Sequence, residues 1–461
     1  MPGNVLLLQG PMGPFFKRFA RDLEGLGGCV YKINFNAGDR LFYRGGNVVD
    51  FAGTPDEWPA FLRQRLDEWQ IDRIYLFGDT RACHAGVRAL AKQLSINLYV
   101  FEEGYLRPHY ITLEKSGVNG HSKMPRDPGH YKDLRQDREE AARPVPHWFT
   151  PAAWYANWYF IAGWLGRRRF PHYRHHRAFN PYHEAFFWIR GGLRKLFFMA
   201  RERKVLKTLT TGYSKQYYLV PLQVHSDAQI RRWSDVASAP AFIRRVIASF
   251  SRNAPQGTLL VIKHHPLDRG YSDYTKLIRK LSEKYGLQDR VLYVHDVRLA
   301  SLLDHAKGTV VINSTVGLSS LLHDTPVKVL GHAVYNMKGL VFDGSLDDFW
   351  GADSVIDRRL YQQFRRHLLS TNQINGNYYR KLKGIRNSSG IILKHLDISQ
   401  PIWNEEVVDD RITAGGMACD TAVVVPIKRA RPTSDPVFPL PAVVKGEGLH
   451  SVDSLRGTLN S

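Results

Sequence analysis

At 461 residues with 43% hydrophobic side chains, the chain exceeds one ordinary core, and two domains of about 150–200 residues plus additions are expected. Its three cysteines, Cys29, Cys83 and Cys419, are odd in number and far apart without a CxxC pair, which argues against a disulfide framework or a zinc site and suits a reducing cytosol. A net charge of +21 attracts nucleic acid, anionic lipid or a phosphorylated substrate, and composition alone does not choose among them.

The N-terminus, MPGNVLLLQG, has no basic segment and too short an apolar run for a signal peptide, so Val5–Leu8 reads as a first strand and the protein as cytoplasmic. Further apolar runs at Cys29–Ile33, Ile74–Phe77 and Leu98–Phe101 alternate with helical patterns over Phe15–Leu26 and Glu57–Trp69. That alternation is the order of βαβ units in a parallel sheet, and residues 1–146 are expected to form a Rossmann-like domain. After the first strand, Gln9 leads into Gly10, Pro11, Gly13 and Pro14, a tight turn opening a basic helix. Free N–H groups there suit an anion or a sugar, although an ordinary βα loop has the same composition. No GxGxxG is present, so a dinucleotide has little support. Glu102 and Glu103 end the Leu98–Phe101 run, and Arg107, His109 and Glu114 follow within the stretch Val100–Glu114. In open α/β sheets ligands bind at the carboxyl edge, so the acidic pair is either a catalytic or binding group or a solvated strand end.

The middle segment, residues 147–204, is aromatic and basic. Trp148–Gly166 holds four tryptophans, two tyrosines and no charge, and Arg167–Arg169 follow. Pro151 and Asn157 make it a poor hydrocarbon span, whereas Trp and Tyr favour the headgroup layer and the arginines favour anionic lipid. Two readings stand side by side: a membrane-surface element, or aromatics packing an interdomain core. A second aromatic-basic stretch occupies Phe186–Arg203.

Residues 205–374 repeat the strand–helix alternation, with strands expected at Tyr217–Pro221, Thr258–Ile262, Val291–Val294, Thr309–Ile312 and Val327–Leu330. Helices are expected at Ala241–Arg252 and Tyr274–Tyr285. Three loops at this second carboxyl edge carry candidate chemistry. In LQVHSD, Asp227 follows Gln223 and His225 and serves either as a helix cap or as a nucleophile or base. In KHHP, Lys263, His264 and His265 end a strand before Pro266, and such donors suit a phosphate. Their spacing lacks the HExxH pattern of a zinc helix. In NSTVG, the hydroxyls of Ser314 and Thr315, with Asn313 before them and Gly317 after, can form an anion site at a helix start. Asp347–Asp348 is the one hint of an acidic metal motif and reads as a turn, so no metal is expected. Residues 375–403 are expected to be crossover helices returning to the first domain, and 404–461 a disordered tail rich in Pro, Gly and Ser.

Taken together, QGPMGPFF, FNAGD, LFGDTR, FEEGYLRP, GVNG, LQVHSD, KHHP and NSTVG, spread over residues 3–400, resemble the capsule polysaccharide synthesis family of the KpsS (LipB) type. That family is similar to retaining β-Kdo transferases with a GT-B-like fold. The resemblance implies transfer of Kdo from CMP-Kdo to a phosphatidylglycerol-type lipid at the inner membrane, starting the β-Kdo linker of capsular polysaccharide without a cofactor. It assigns Asp227 as nucleophile, and Lys263, His265 and Ser314 to the CMP phosphate, with Pro266, Asn313, Thr315 and Gly317 beside them. Glu102 or Glu103 would face the acceptor, Glu103 as its base, with Gln9, Gly10 and Arg107 on the acceptor side. Ala228 stands where related linker-extending enzymes carry Ser. The implied setting is the inner face of the cytoplasmic membrane, among other capsule synthesis and export proteins. The alternative is a non-catalytic export or assembly factor that holds glycolipid. A nucleic-acid partner is not expected, since no RNP, KH or helix-turn-helix signature accompanies the charge.

Overall fold

A computed structural model describes residues 3–132, 141–175, 180–225, 230 and 232–392. The expected tail, 404–461, lies outside the described residues.

The first α/β unit opens with strands β1 (Asn4–Leu7), β2 (Cys29–Asn34), β3 (Val48–Asp50), β4 (Arg73–Phe77), β5 (Asn97–Glu103) and β6 (Tyr110–Lys115). The second contains β7 (Tyr217–Pro221), β8 (Leu259–Lys263), β9 (Val291–Val294), β10 (Gly308–Val311) and β11 (Val327–Val329). A last strand, β12 (Gln373–Asn375), returns to the first sheet. The seven-stranded sheet runs β12-β6-β5-β4-β1-β2-β3 and the five-stranded sheet β11-β10-β7-β8-β9. From β3 to β5, and throughout the second sheet, all pairs are parallel. Each parallel set is thus built outward from its own first strand in the same order, and each reverses direction once, at β1/β4 and at β7/β10. Those reversals are where an open sheet leaves a crevice for ligand.

The apolar runs become strands because both sheet faces are covered: every residue of Tyr217–Pro221 and Leu259–Lys263 is buried. The covering helices are amphipathic at the 3.6-residue spacing. Phe15–Gly25 buries Phe15, Phe16, Phe19 and Leu23, and Ala239–Asn253 buries Phe242, Ile243, Val246, Ile247 and Phe250.

Two parts of the sequence expectation are corrected. The returning segment does not begin with a helix: Gln373–Asn375 pairs antiparallel with β6 through Gln373↔Thr112, and turns follow through residue 392. Over 375–392 the expected helices are absent because β6 presents an open edge, which an extended segment satisfies, while 393–403 lie outside the described residues. The helix of the return lies earlier, at Arg358–Thr371. The acidic pair Asp347–Asp348 sits on the short helix Leu346–Phe349, where Asp348 and Ser345 cap each other's backbone N–H groups and Asp347 accepts from Ser249 Oγ.

In the middle segment, helices Phe149–Leu165 and Pro181–Arg201 lie side by side, with Phe149 and Trp188 ring centroids 6.3 Å apart. One apolar cluster crosses between the two units, joining Tyr105, Leu106 and Tyr131 to Leu318, Tyr335 and Phe364.

Candidate active site

The carboxyl edges of both sheets face one cleft of about 580 Å³. Gln9, Phe77, Gly78, Arg81, Glu102 and Glu103 reach it from the ends of β1, β4 and β5. Gln223, His265 and Asn313–Thr315 reach it from the ends of β7, β8 and β10. The middle segment adds Tyr173, Arg174 and His175. Side chains from strands widely separated in the chain thus meet because parallel strands all end on the same edge.

On the first-domain wall, Glu102 is the titratable group best matched to proton transfer. It is half-buried, and its Oε2 accepts from Asn119 Nδ2 at 3.4 Å. Burial, reinforced by the neighbouring Glu103 carboxylate, pushes it up to about 7. Behind it, Asn119 N donates to Tyr105 OH at 2.9 Å. Farther in, Glu114 accepts from Ser122 Oγ at 2.5 Å, and burial raises it to about 7 as well. Arg107 stands at the mouth, its Nε donating to Gly104 O at 3.2 Å.

Gln9 faces the cleft yet is 2% exposed, because its amide is the node of a buried network. Its Nε2 donates to Tyr173 OH at 2.9 Å and to Asp39 Oδ2 at 3.1 Å, while its Oε1 accepts from Arg81 Nη1 at 2.9 Å. Tyr159 of the aromatic helix closes the network, donating to Asp39 Oδ1 at 2.9 Å and accepting from Asn36 Nδ2 at 2.6 Å. The FNAGD motif therefore docks that helix. Asn36 caps the helix Ala37–Phe42, and Gly38 lacks a Cβ that would come within 2.6 Å of the Tyr159 ring.

On the second-domain wall, Gln223 and Asn313 pair through Gln223 Nε2 to Asn313 Oδ1 at 3.0 Å, tying the LQVHSD loop to the NSTVG loop. Ser314 Oγ accepts from Val316 N at 3.2 Å. His265 is held neutral: burial pushes it down to about 4, and its Nδ1 accepts from Leu267 N at 3.2 Å, leaving the proton on Nε2. It is therefore an uncharged donor. His225 is oriented by the buried Asp268, whose carboxylate receives its Nδ1 and, at 3.3 Å, its backbone N–H.

Of the sequence candidates, Gln9, Glu102, Glu103, Arg107, His265, Asn313, Ser314 and Thr315 line the cleft. Gly10 stands just behind it, its carbonyl accepting from Arg81 Nη1 at 3.0 Å. Lys263, Pro266 and Gly317 are not on its wall. Lys263 is 6% exposed, donates from Nζ to His295 O at 3.2 Å, and is lowered by burial to about 8. Pro266 starts the single turn Pro266–Asp268. Gly317 lets the Tyr335 ring approach, since a Cβ would meet its hydroxyl at 2.1 Å, and that hydroxyl donates to Ser314 O. Asp227 and Ala228 lie outside the described residues. Arg81, Asn119, Tyr173, Arg174, His175 and Tyr335 were not anticipated. Arg81 ends LFGDTR just past an apolar strand, the same signal that identified the acidic pair. Of the basic trio Arg167–Arg169, Arg169 pairs with Asp50, its Nε at 3.0 Å, and its side chain is still 57% exposed.

A family model described as "capsule polysaccharide biosynthesis protein" matches residues 72–379. The chain belongs to that family. It is 45% identical over 382 residues to the capsule polysaccharide export protein KpsS of Escherichia coli, covering 82% of this chain and 97% of the relative. It is 40% identical over 386 residues to the capsule polysaccharide modification protein LipB of Neisseria meningitidis serogroup B, covering 82% and 92%. Among solved structures, the β-Kdo 2,7 transferase KpsC of Thermosulfurimonas dismutans aligns at 13% identity and a TM-score of 0.38, over 81% of this chain and 93% of that one. The chain is thus a capsule polysaccharide biosynthesis protein of the KpsS/LipB type.

Proposed function

We propose that this family member is a retaining glycosyltransferase that moves Kdo from CMP-Kdo onto a phosphatidylglycerol-type lipid, beginning the linker of capsular polysaccharide. The observation that carries this reading is the cleft itself, where a carboxyl raised to about 7 on one wall faces a neutral imidazole and a hydroxyl-bearing turn on the other. CMP takes the second-domain wall, its phosphate receiving hydrogen bonds from His265 Nε2 and the Ser314 turn. Asp227, two residues beyond the anchored His225, attacks the anomeric carbon. The bond to the phosphate oxygen breaks, CMP departs with the bonding pair, and a glycosyl ester forms on Asp227. Glu102 then takes the proton from the acceptor hydroxyl as that oxygen displaces Asp227, so two inversions give retention. Glu102 replaces Glu103 as the base because its raised pKa lets it accept a proton near neutrality while losing it readily. Arg81, Arg107 and Arg174 counter the negative charge carried by donor and acceptor.

Contact with the inner face of the cytoplasmic membrane is supported by side chains left in solvent: Trp154 is 60% exposed, Leu165 68% and Phe186 59%. Among the described residues no helix is long and apolar enough to cross a membrane, which favours surface attachment. The export name of the Escherichia coli relative supports a second reading, a non-catalytic factor that holds glycolipid for export.

Incubation of purified protein with CMP-Kdo and lyso-phosphatidylglycerol, followed by mass spectrometry, separates the two. Enzyme-dependent gain of Kdo on the lipid with release of CMP supports the transferase. Lipid binding without CMP release would leave only the second reading.

A further inference from the structure

A second cavity, of about 1040 Å³, lies between helix Pro181–Arg201 and helix Thr275–Lys284 against the edge strand β9, and shares no lining residue with the cleft. Five cations line it: Arg190, Arg194, Arg201, Lys276 and Arg279. Of its three carboxylates, two stand beside cations of the cavity itself and one is turned to backbone N–H groups. Asp273 holds Arg194 at 2.7 Å, and Glu202 accepts from the backbone N–H groups of His295 and Asp296 at 2.8 Å. Glu283, well exposed, stands 3.9 Å from Arg279. Neither Arg190 nor Lys276 has a carboxylate partner among the described residues.

The same helix carries a second pattern. Tyr182, Phe186, Ile189, Leu193 and Leu196 recur every three or four residues and form one stripe, yet each is 59–75% exposed. Arg190 and Arg194 each follow a stripe residue, about 100° farther round the helix, and so place the basic cavity immediately beside the apolar stripe. An apolar strip bordered by a pocket of arginine and lysine is complementary to an amphiphile with an anionic head. It is not complementary to nucleic acid, which would leave the stripe in water.

We infer that this cavity receives the headgroup of one anionic glycerophospholipid of the bilayer, while the stripe lies among the acyl chains. Phosphate oxygens meet Arg190, Lys276 and Arg279, and the bilayer then covers the exposed apolar face. The site is separate from the acceptor position in the cleft. It rests on the membrane attachment proposed above and is independent of the transfer chemistry.

The test is flotation of the full-length protein with phosphatidylglycerol or phosphatidylcholine vesicles, in the absence of sugar nucleotide. The triple variant Arg190→Gln, Lys276→Gln, Arg279→Gln is expected to partition about a hundredfold more weakly onto phosphatidylglycerol, with unchanged weak binding to phosphatidylcholine. The single exposed change Lys276→Gln is expected to weaken partition about fivefold, and decides the matter if the triple variant melts early. A triple variant that stays folded and floats with phosphatidylglycerol as wild type does would overturn the site. So would release of wild type by inorganic phosphate equimolar with the lipid, which would make the cavity a free-anion site. Cation-dependent flotation together with absent transfer would uphold this site while removing the proposed reaction.

Discussion

At the residue scale, two side chains of the cleft are set by burial in opposite directions. Because Glu102 is raised from its ordinary 4.5 to about 7, the folded protein keeps a proton there that the unfolded chain has lost. Stability therefore falls as pH rises through that window. Glu102→Gln should remove the penalty, raising stability by on the order of 1–3 kcal/mol at pH 8 and leaving it unchanged near pH 4, as thermal melts at the two values would show. The same change should lower transfer by roughly 10²–10⁴-fold, since an amide accepts no proton. For His265→Ala, calorimetry with CMP should find about a tenfold to hundredfold higher Kd, the loss of one hydrogen bond to a charged phosphate. Several residues that reach the cleft were legible as polar side chains just past an apolar run, as with Glu102, His265 and Ser314. Lys263 fits that pattern and still turns away. Its ammonium donates to the His295 carbonyl beside Glu202, a buried carboxylate supplied by a distant helix. Long-range partners of that kind leave no mark on the local sequence.

At the scale of single elements, the parallel strands of both sheets that present uninterrupted apolar runs were readable, because strands covered on both faces need no alternation. Strands β3, β6 and β12 were not. Gln373–Asn375 is three residues long and buries a Gln and an Asn, so neither length nor hydropathy announces it. The aromatic helix Phe149–Leu165 has one packed side and one exposed side. Tyr159 and Phe160 are buried against the first domain, while Trp154 and Trp158 stay in solvent. One hydroxyl supplies the polar anchor of its docking. Tyr159→Phe leaves Asp39 Oδ1 without its donor and takes one of two acceptors from Asn36 Nδ2, which keeps Asp39 Oδ2 at 3.2 Å, and should cost about 1–3 kcal/mol. A lower melting temperature with unchanged CMP affinity would be the signature, because the network lies behind the acceptor wall rather than at the donor.

At the scale of the whole molecule, the two sheets are not independent bodies. Tyr105 and Tyr131 of the first unit share a core with Tyr335 and Phe364 of the second. Past β12, Asp22 receives the backbone N–H groups of Ser388 and Ser389 at 2.5 and 2.7 Å. Two truncations should therefore behave very differently. Ending the chain at residue 403 retains all these contacts and should leave a single melting transition at the wild-type temperature. Ending it at 356 removes Arg358–Thr371 and β12, strips Phe364 from the shared core and bares β6; aggregation on expression is the expected result, read by size exclusion.

The late arrival of β12 also has a consequence in time. Gln373 meets Thr112 across 261 positions of chain, with all of the second sheet emerging in between. At translation speeds of about 5–20 residues per second, the edge of β6 waits roughly 10–50 s on the ribosome before its partner is synthesised. The first domain cannot finish folding while it is made, so every nascent copy passes through an interval in which a neighbouring polysome, or a chaperone, can reach that open strand before its own chain does.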